Sequence, residues 1–351
     1  MKRYDQMTPK ERFKALSKGQ EVDRIPCCPI LGEAATSLIN TTVAKFCHSS
    51  QLMAEMEATL YRTFQHDSVG VGPDLFGIAE AMGSTLVFPE YDIPFVDVPV
   101  LSDYKDLDKL PLINPWKDGR LPLFLEAVKM LNEEVGDEVG VGASVGGPFT
   151  TASALRGTET ILKDMILNPE ELHKLLQIAT ENIFAYIDAL AEIGIKPSMP
   201  EPMGSGTLIS AKQFRTFVQP YLKKCVEHVT EKFGSPPTLH ICGNTKRIWQ
   251  DMADTGVKTV SLDNVVDMEE AKNEIGNRVT LMGNVKPIEV MKEGTREDIF
   301  NAVAECLQKA ADSPKGYILS TGCQLAMGTP MENVGYFMEA ARTLGKWPVK
   351  L

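Results

Sequence analysis

The sequence has no uninterrupted apolar run approaching the roughly 18 residues of a membrane-spanning helix, so none is expected. It is also short of positive charge: 36 Lys and Arg stand against 47 Asp and Glu, a net charge of −11 with His neutral. Those cations are scattered, which argues against a basic face that tracks phosphates and hence against a nucleic-acid partner. No low-complexity tract, solenoid repeat or linker rich in Gly and Ser is present, and disordered and fibrous classes are out. No G-x-G-x-x-G element follows the first apolar run, so the phosphate turn of a dinucleotide fold is missing. The opening stretch, Met1-Lys2-Arg3-Tyr4-Asp5-Gln6, is charged where an export signal would be apolar; a cytoplasmic protein is expected.

What is present is a regular alternation. Short apolar runs at 25–31, 67–71, 139–145, 195–201, 237–242, 257–262, 278–284 and 317–322 each precede a helical segment. Four helix starts carry capping chemistry: Thr8-Pro9-Lys10-Glu11, Asn168-Pro169-Glu170-Glu171, Ser210-Ala211-Lys212-Gln213 and Thr329-Pro330-Met331-Glu332. Eight strand and helix units predict an α/β fold, a (β/α)8 TIM barrel, with a doubly wound sheet as the competitor. The 351 residues, 43% hydrophobic, then read as one elaborated barrel domain with an N-terminal helical extension. Between the second and third strands, roughly 74–137, runs at 85–88 and 95–100 separated by Pro89 and Pro94 predict an inserted hairpin near one barrel mouth.

Barrel enzymes draw their reactive groups from the C-terminal ends of strands. Here those positions hold Glu201 with Ser205 beyond it, His240-Ile241-Cys242-Gly243-Asn244, Asp263-Asn264, Asn284, and Gly322-Cys323. Seven cysteines (27, 28, 47, 225, 242, 306 and 323) without an export signal read as reduced thiols, and buried packing is their ordinary use. Cys27 and Cys28 are neighbours on a strand and face opposite sides, so they do not chelate together. His240 and Cys242, two apart, leave the same face. With Cys323 they supply three of the four positions of a tetrahedral zinc site, the fourth open. The residues match none of the compact zinc spacings, so a packed histidine beside buried thiols accounts for them equally well. Glu201 and Asp263 are candidate acid–base groups, with helix capping as the plainer use. Ser205, Asn244, Asn264 and Asn284 form a candidate polar ring, and asparagines also make turns.

At these residues the chain resembles the uroporphyrinogen decarboxylase superfamily and, within it, the corrinoid-dependent methyltransferases. The resemblance runs from Thr8-Pro9-Lys10-Glu11-Arg12 and Asp23-Arg24-Ile25-Pro26 through Gly147-Pro148-Phe149-Thr150, Leu155-Arg156-Gly157 and the stretch from Ser205 to Pro220. It continues in His240-Ile241-Cys242-Gly243-Asn244-Thr245, Gly283-Asn284-Val285 and Gly322-Cys323, of which the H-x-C-G-N element with the late G-C is the most discriminating. It implies a TIM barrel in which His240, Cys242 and Cys323 hold zinc. It also implies methyl transfer from the methylcobalamin of a corrinoid protein to a small acceptor, either tetrahydrofolate or a thiol such as coenzyme M. Family decarboxylases carry an arginine-rich first-strand element, whereas residues 25–33 here contain no arginine. Decarboxylation is therefore a lesser reading, and the open fourth position makes a non-catalytic corrinoid-binding protein with structural zinc another.

Overall fold

The structure, a computed structural model, describes residues 5–349. In chain order the strands are β1 (Ser68–Gly70), β2 (Thr85–Val87), β3 (Phe95–Val98), β4 (Gly140–Ser144), β5 (Pro197–Pro200), β6 (Thr238–Ile241), β7 (Thr259–Leu262), β8 (Thr280–Val285) and β9 (Tyr317–Thr321). Seven form one sheet in the order β1-β4-β5-β6-β7-β8-β9, every neighbouring pair parallel, with helices in each crossover. β2 and β3 form the separate antiparallel hairpin expected between the second and third strand positions.

The expected first strand, 25–31, differs. Pro26 and Pro29 have no N–H to give to a ladder, so no regular strand forms, and Cys27 makes an isolated parallel bridge to Leu319. The segment nevertheless bonds to both edges of the sheet: Cys28 N donates to Leu319 O, Leu319 N to Pro26 O, and Asp67 N to Cys27 O.

Local chemistry explains most helix starts. Thr8 and Ser210 form reciprocal capping boxes with Glu11 and Gln213, and Thr295 forms a third with Asp298. Two expected caps are not made. The Asn168 amide donates to Asp164 instead, and the Thr329 hydroxyl donates to Ala326 O, leaving Pro330 as the residue before the helix Met331–Leu344. Between the helices Ala211–Gln213 and Gln219–Phe233 lies one π-helical turn, Phe214–Val218. Pro220 causes it, because its ring removes a donor and crowds the carbonyl a turn earlier.

Below the strand starts sits a set of three arginines and three aspartates, of which Arg12, Arg24 and Asp67 are buried and Asp5, Asp23 and Arg342 partly so. Asp67, just ahead of β1, accepts from Arg12 Nη1, from Arg24 Nη1 at 2.6 Å and from Cys27 N at 2.6 Å. Arg12 also holds Asp23 (2.7 and 2.9 Å), Arg24 holds Asp5 (2.7 Å), and Arg342 reaches Asp5 at 3.3 Å. Burying a single ion costs several kcal/mol, so such a set persists because charge and donors are both matched. Burial would raise the Asp5 and Asp23 carboxyls, but hydrogen bonds and charge from Arg24 and Arg12 outweigh it and hold both below their usual range. Their contribution to stability is present above the unfolded value of 3.8 and is lost as pH falls through the lower folded values. Asp67→Ala is expected to lower unfolding free energy by about 3–5 kcal/mol in urea titrations at pH 7, because it removes the fully buried carboxylate that two buried guanidinium groups share. A loss below about 1 kcal/mol would remove the network from its assigned role.

Candidate metal centre

β6 alternates: Leu239 and Ile241 are fully buried against the helices, while Thr238 and His240 are half-buried on the opposite face. Cys242 follows on the His240 side, and Cys323 arrives from the loop after β9. Their ligand atoms lie within 4.8 Å of one another, the one such group of three among the described residues. His240 Nε2 is 3.1 Å from Cys242 Sγ, which is 3.4 Å from Cys323 Sγ. A tetrahedral ion with metal–sulfur bonds of about 2.3 Å and metal–nitrogen bonds of about 2.0 Å separates such donors by about 3.5–3.8 Å. The donors therefore stand a few tenths of an ångström from that spacing, and two sulfurs with one imidazole suit a thiophilic divalent ion. The two sulfurs lie within hydrogen-bonding reach of each other. The hydrogen bond from Cys242, and then His240, pull Cys323 down to about 5 against burial, whereas the same bond and burial push Cys242 above the usual thiol range.

One residue of this centre escaped the sequence reading. Ser261, paired in register with His240 across β6 and β7, places its hydroxyl 3.0 Å from His240 Nδ1. When Nδ1 donates to that oxygen, Nε2 keeps its lone pair toward the sulfurs. The detectable signal was a Ser between Val260 and Leu262 in a wholly buried strand. Two glycines set the approach of the cysteine loops. Gly243 has φ +74, and a Cβ there would lie 2.5 Å from Thr207 Oγ1 and 2.6 Å from Ser205 Oγ. A Cβ on Gly322 would meet Asn264 N at 2.4 Å.

The remaining expected site residues mostly build the scaffold. Asp263 accepts from Gly243 N (2.7 Å) and Val265 N (3.2 Å), tying the Cys242 loop to the top of β7. Asn284 donates to Asp263 O and Val266 O, and Asn244 accepts from Lys246 N in a turn. Ser205 is buried and accepts from Thr207 N. Asn264 is half-buried beside Gly322. Glu201 turns away from the centre: Pro200 pairs with His240, so Glu201, one residue on, faces the helices. It is fully buried at the start of the helix Pro148–Arg156 and accepts from Phe149 N (3.0 Å), Thr150 N (2.7 Å) and the Thr150 hydroxyl. Burial pushes its carboxyl up to about 7, despite those bonds.

The profile of uroporphyrinogen decarboxylase (URO-D) matches residues 8–344. The chain belongs to the uroporphyrinogen decarboxylase family. Its relatives include the methylated-thiol–coenzyme M methyltransferase of Methanosarcina mazei, 28% identical over 96% of this chain and 90% of that one. The methylcobamide:CoM methyltransferase of Methanosarcina acetivorans is 30% identical over 95% of this chain and 98% of its own length. Among solved structures, a methyltransferase from Methanosarcina mazei superimposes with a TM-score of 0.85 at 29% identity, covering 96% and 98% of the two chains.

For this member of the uroporphyrinogen decarboxylase family two outcomes follow. Ser261→Ala should weaken binding of a thiophilic divalent ion about 10- to 100-fold in competition with a chromophoric chelator, with the fold unchanged by circular dichroism. Unaltered affinity would deny the hydroxyl its orienting part. Glu201 makes the second. Its carboxyl ionises near 7 when folded and near 4.5 when unfolded, so its contribution is full below about 4.5 and lost as pH rises through 7. Urea unfolding between pH 5 and 8 should lose about 2.5 kcal/mol more in the wild type than in Glu201→Gln, the slope left in the variant including that of Glu57, whose buried carboxyl is also pushed up to about 7. Equal losses in both would mean that Glu201 does not set the slope.

Proposed function

We propose that this chain moves a methyl group from a methylated corrinoid, carried by a separate protein, to a thiol acceptor of the coenzyme M class at the sheet's C-terminal mouth. One observation carries the reading: His240, Cys242 and Cys323 converge from two strand tops with three donors and, among the described residues, no fourth. The methyltransferases among the full-length relatives support it. The reading also takes 1–351 as one elaborated (β/α)8 barrel, with residues 26–28 in the eighth strand place and 74–137 as an insertion; the bonds of 26–28 to both sheet edges favour that closure.

In the reaction the carbon–cobalt bond breaks, leaving both electrons on cobalt, and the acceptor's lone pair forms the new bond to carbon. Zinc held by His240, Cys242 and Cys323 would keep an acceptor thiol deprotonated at neutral pH in its fourth position. Ser261 orients the imidazole, and Asp263 fixes the Cys242 loop through Gly243 N, so these residues hold a prearranged geometry rather than relay protons. Glu201 serves the same end at a distance, as the anchor of a helix.

Tetrahydrofolate is the second acceptor reading. It is favoured by Glu33, which accepts from Gln324 next to Cys323 and offers a carboxyl to the N–H edge of a pterin. Two amides of the candidate polar ring are spent on the scaffold: Asn284 holds the loop after β7, and Asn244 is bonded within its own turn. Decarboxylation of a many-carboxylate tetrapyrrole is disfavoured, because Arg12 and Arg24 are buried at the opposite end, bound to Asp5, Asp23 and Asp67.

The test follows the methyl–cobalt absorption band of methylcobalamin with zinc-loaded enzyme against coenzyme M, other thiols and tetrahydrofolate. A thiol should discharge the band, and Cys242→Ala should slow this at least about 100-fold while releasing the metal. Retention of both metal and full thiol methylation in that variant sinks the mechanism. Discharge by tetrahydrofolate and by no thiol reassigns the acceptor.

A further inference from the structure

Exposed large apolar side chains are distributed with a strong bias. Among the described residues, all but Trp347 lie in segments that lead from a strand top to the helix returning to the next strand. This is the end of the sheet that holds the His240, Cys242 and Cys323 centre. Leu208, Val265 and Ile288 stand exposed on the loops after β5, β7 and β8. The largest share belongs to the hairpin. Val87 and Phe95 are register partners and share its outer face, where Phe95 is 48% exposed, while Leu86 and Val96 pair on the inner face and Val96 packs on the core. Tyr91 at the turn is 70% exposed, Ile93 near it is exposed too, and Val98 is exposed at the other end of the hairpin, where it pairs with Thr85. Clustered apolar exposure of this kind marks a docking surface.

Charge decides between occupants. From Ser84 to Tyr104 the chain has no Lys or Arg, and Glu90, Asp92 and Asp97 project from the hairpin without an ion pair among the described residues. Two copies meeting through this face about a two-fold axis would set carboxylates against carboxylates, in a chain of net charge −11. A protein with a basic rim around an apolar patch fits instead.

We infer that the outer face of the hairpin, continued by the apolar loop tips around the metal centre, is the docking surface for the corrinoid-carrying protein, with the carboxylates of the hairpin steering a basic rim on that partner. The inference rests on the corrinoid reading above. It requires that the hairpin matter when the corrin arrives on a protein and not when it arrives free.

The experiment uses two donors, free methylcobalamin and a recombinant cobalamin-binding protein reconstituted with methylcobalamin, with the zinc-loaded full chain. Two variants outside the centre are compared with wild type: Val87→Thr with Phe95→Thr, which keeps strand propensity, and Glu90→Lys with Asp97→Lys. Each should reduce kcat/KM about tenfold or more with the protein donor and leave turnover of free methylcobalamin unchanged. Added salt should slow the wild type with the protein donor only. Unchanged kcat/KM with both donors overturns the docking surface, as does an equal loss with both. Wild-type turnover with free methylcobalamin but not the protein donor also overturns it. A wild-type dimer that the Val87 and Phe95 variant splits, seen by sedimentation, assigns the face to self-association instead. No wild-type turnover with either donor fails the underlying methyl-transfer reading, a result separate from all of these.

Discussion

Asp67 is the constraint on which the rest of the structure leans. A carboxylate with no exposure is tolerable only where donors surround it, and here they come from two separated parts of the chain: Arg12 of the first helix, and the segment that holds both Arg24 and the amide of Cys27. Because Asp67 precedes β1 directly, it fixes residues 26–28 against that edge of the sheet, while Leu319 fixes them against β9. β9 ends two residues before Cys323. The ion set at the strand starts therefore helps to set the separation of Cys323 from β6, where His240 lies. In barrel enzymes one end serves stability and the other chemistry; here the segment 26–28, bonded to both edges of the sheet, links the strand starts to the strand ends.

At the mouth, polar groups are spent on holding the loops in place. Asp263 and Asn284 act in series: Asn284 grips the Asp263 and Val266 carbonyls, and Asp263 grips the Gly243 amide. Each bond contributes only about 1 kcal/mol to stability, yet a metal site depends on placing donors within tenths of an ångström. The glycines beside Cys242 and Cys323 belong to the same design, since any side chain there would push the loops apart.

What the sequence made legible follows from period and spacing. Seven of the eight expected strands form, because an apolar run before a capped helix depends on local chemistry. The His240 and Cys242 pair was legible from strand alternation, and the hairpin from its proline breaks. The remainder depended on partners distant in sequence. Whether Glu201 points at a substrate or at a helix is decided by Thr150, about fifty residues earlier, and no local pattern encodes it. Asn284 resembled a ligand-binding amide until its two carbonyl partners were placed. Residues 25–31 had strand composition, but Pro26 and Pro29 leave too few donors for a ladder.

The seven cysteines divide by position. Cys27, Cys28, Cys47, Cys225 and Cys306 are buried, and in each burial is the first influence raising the thiol. Such thiols are inert, because the thiolate is the reactive form. Cys242 and Cys323 are the two that remain partly exposed, and they are also the two whose nearest polar neighbours are each other and an imidazole. Partial exposure alone would invite oxidation, and proximity alone would invite a disulfide; a third donor and loops held by glycine and aspartate give the pair the arrangement that could hold a metal ion. Residue type did not distinguish these two from the other five. Position did, because the top of a parallel strand is where a side chain is both held by the sheet and open to what arrives from outside.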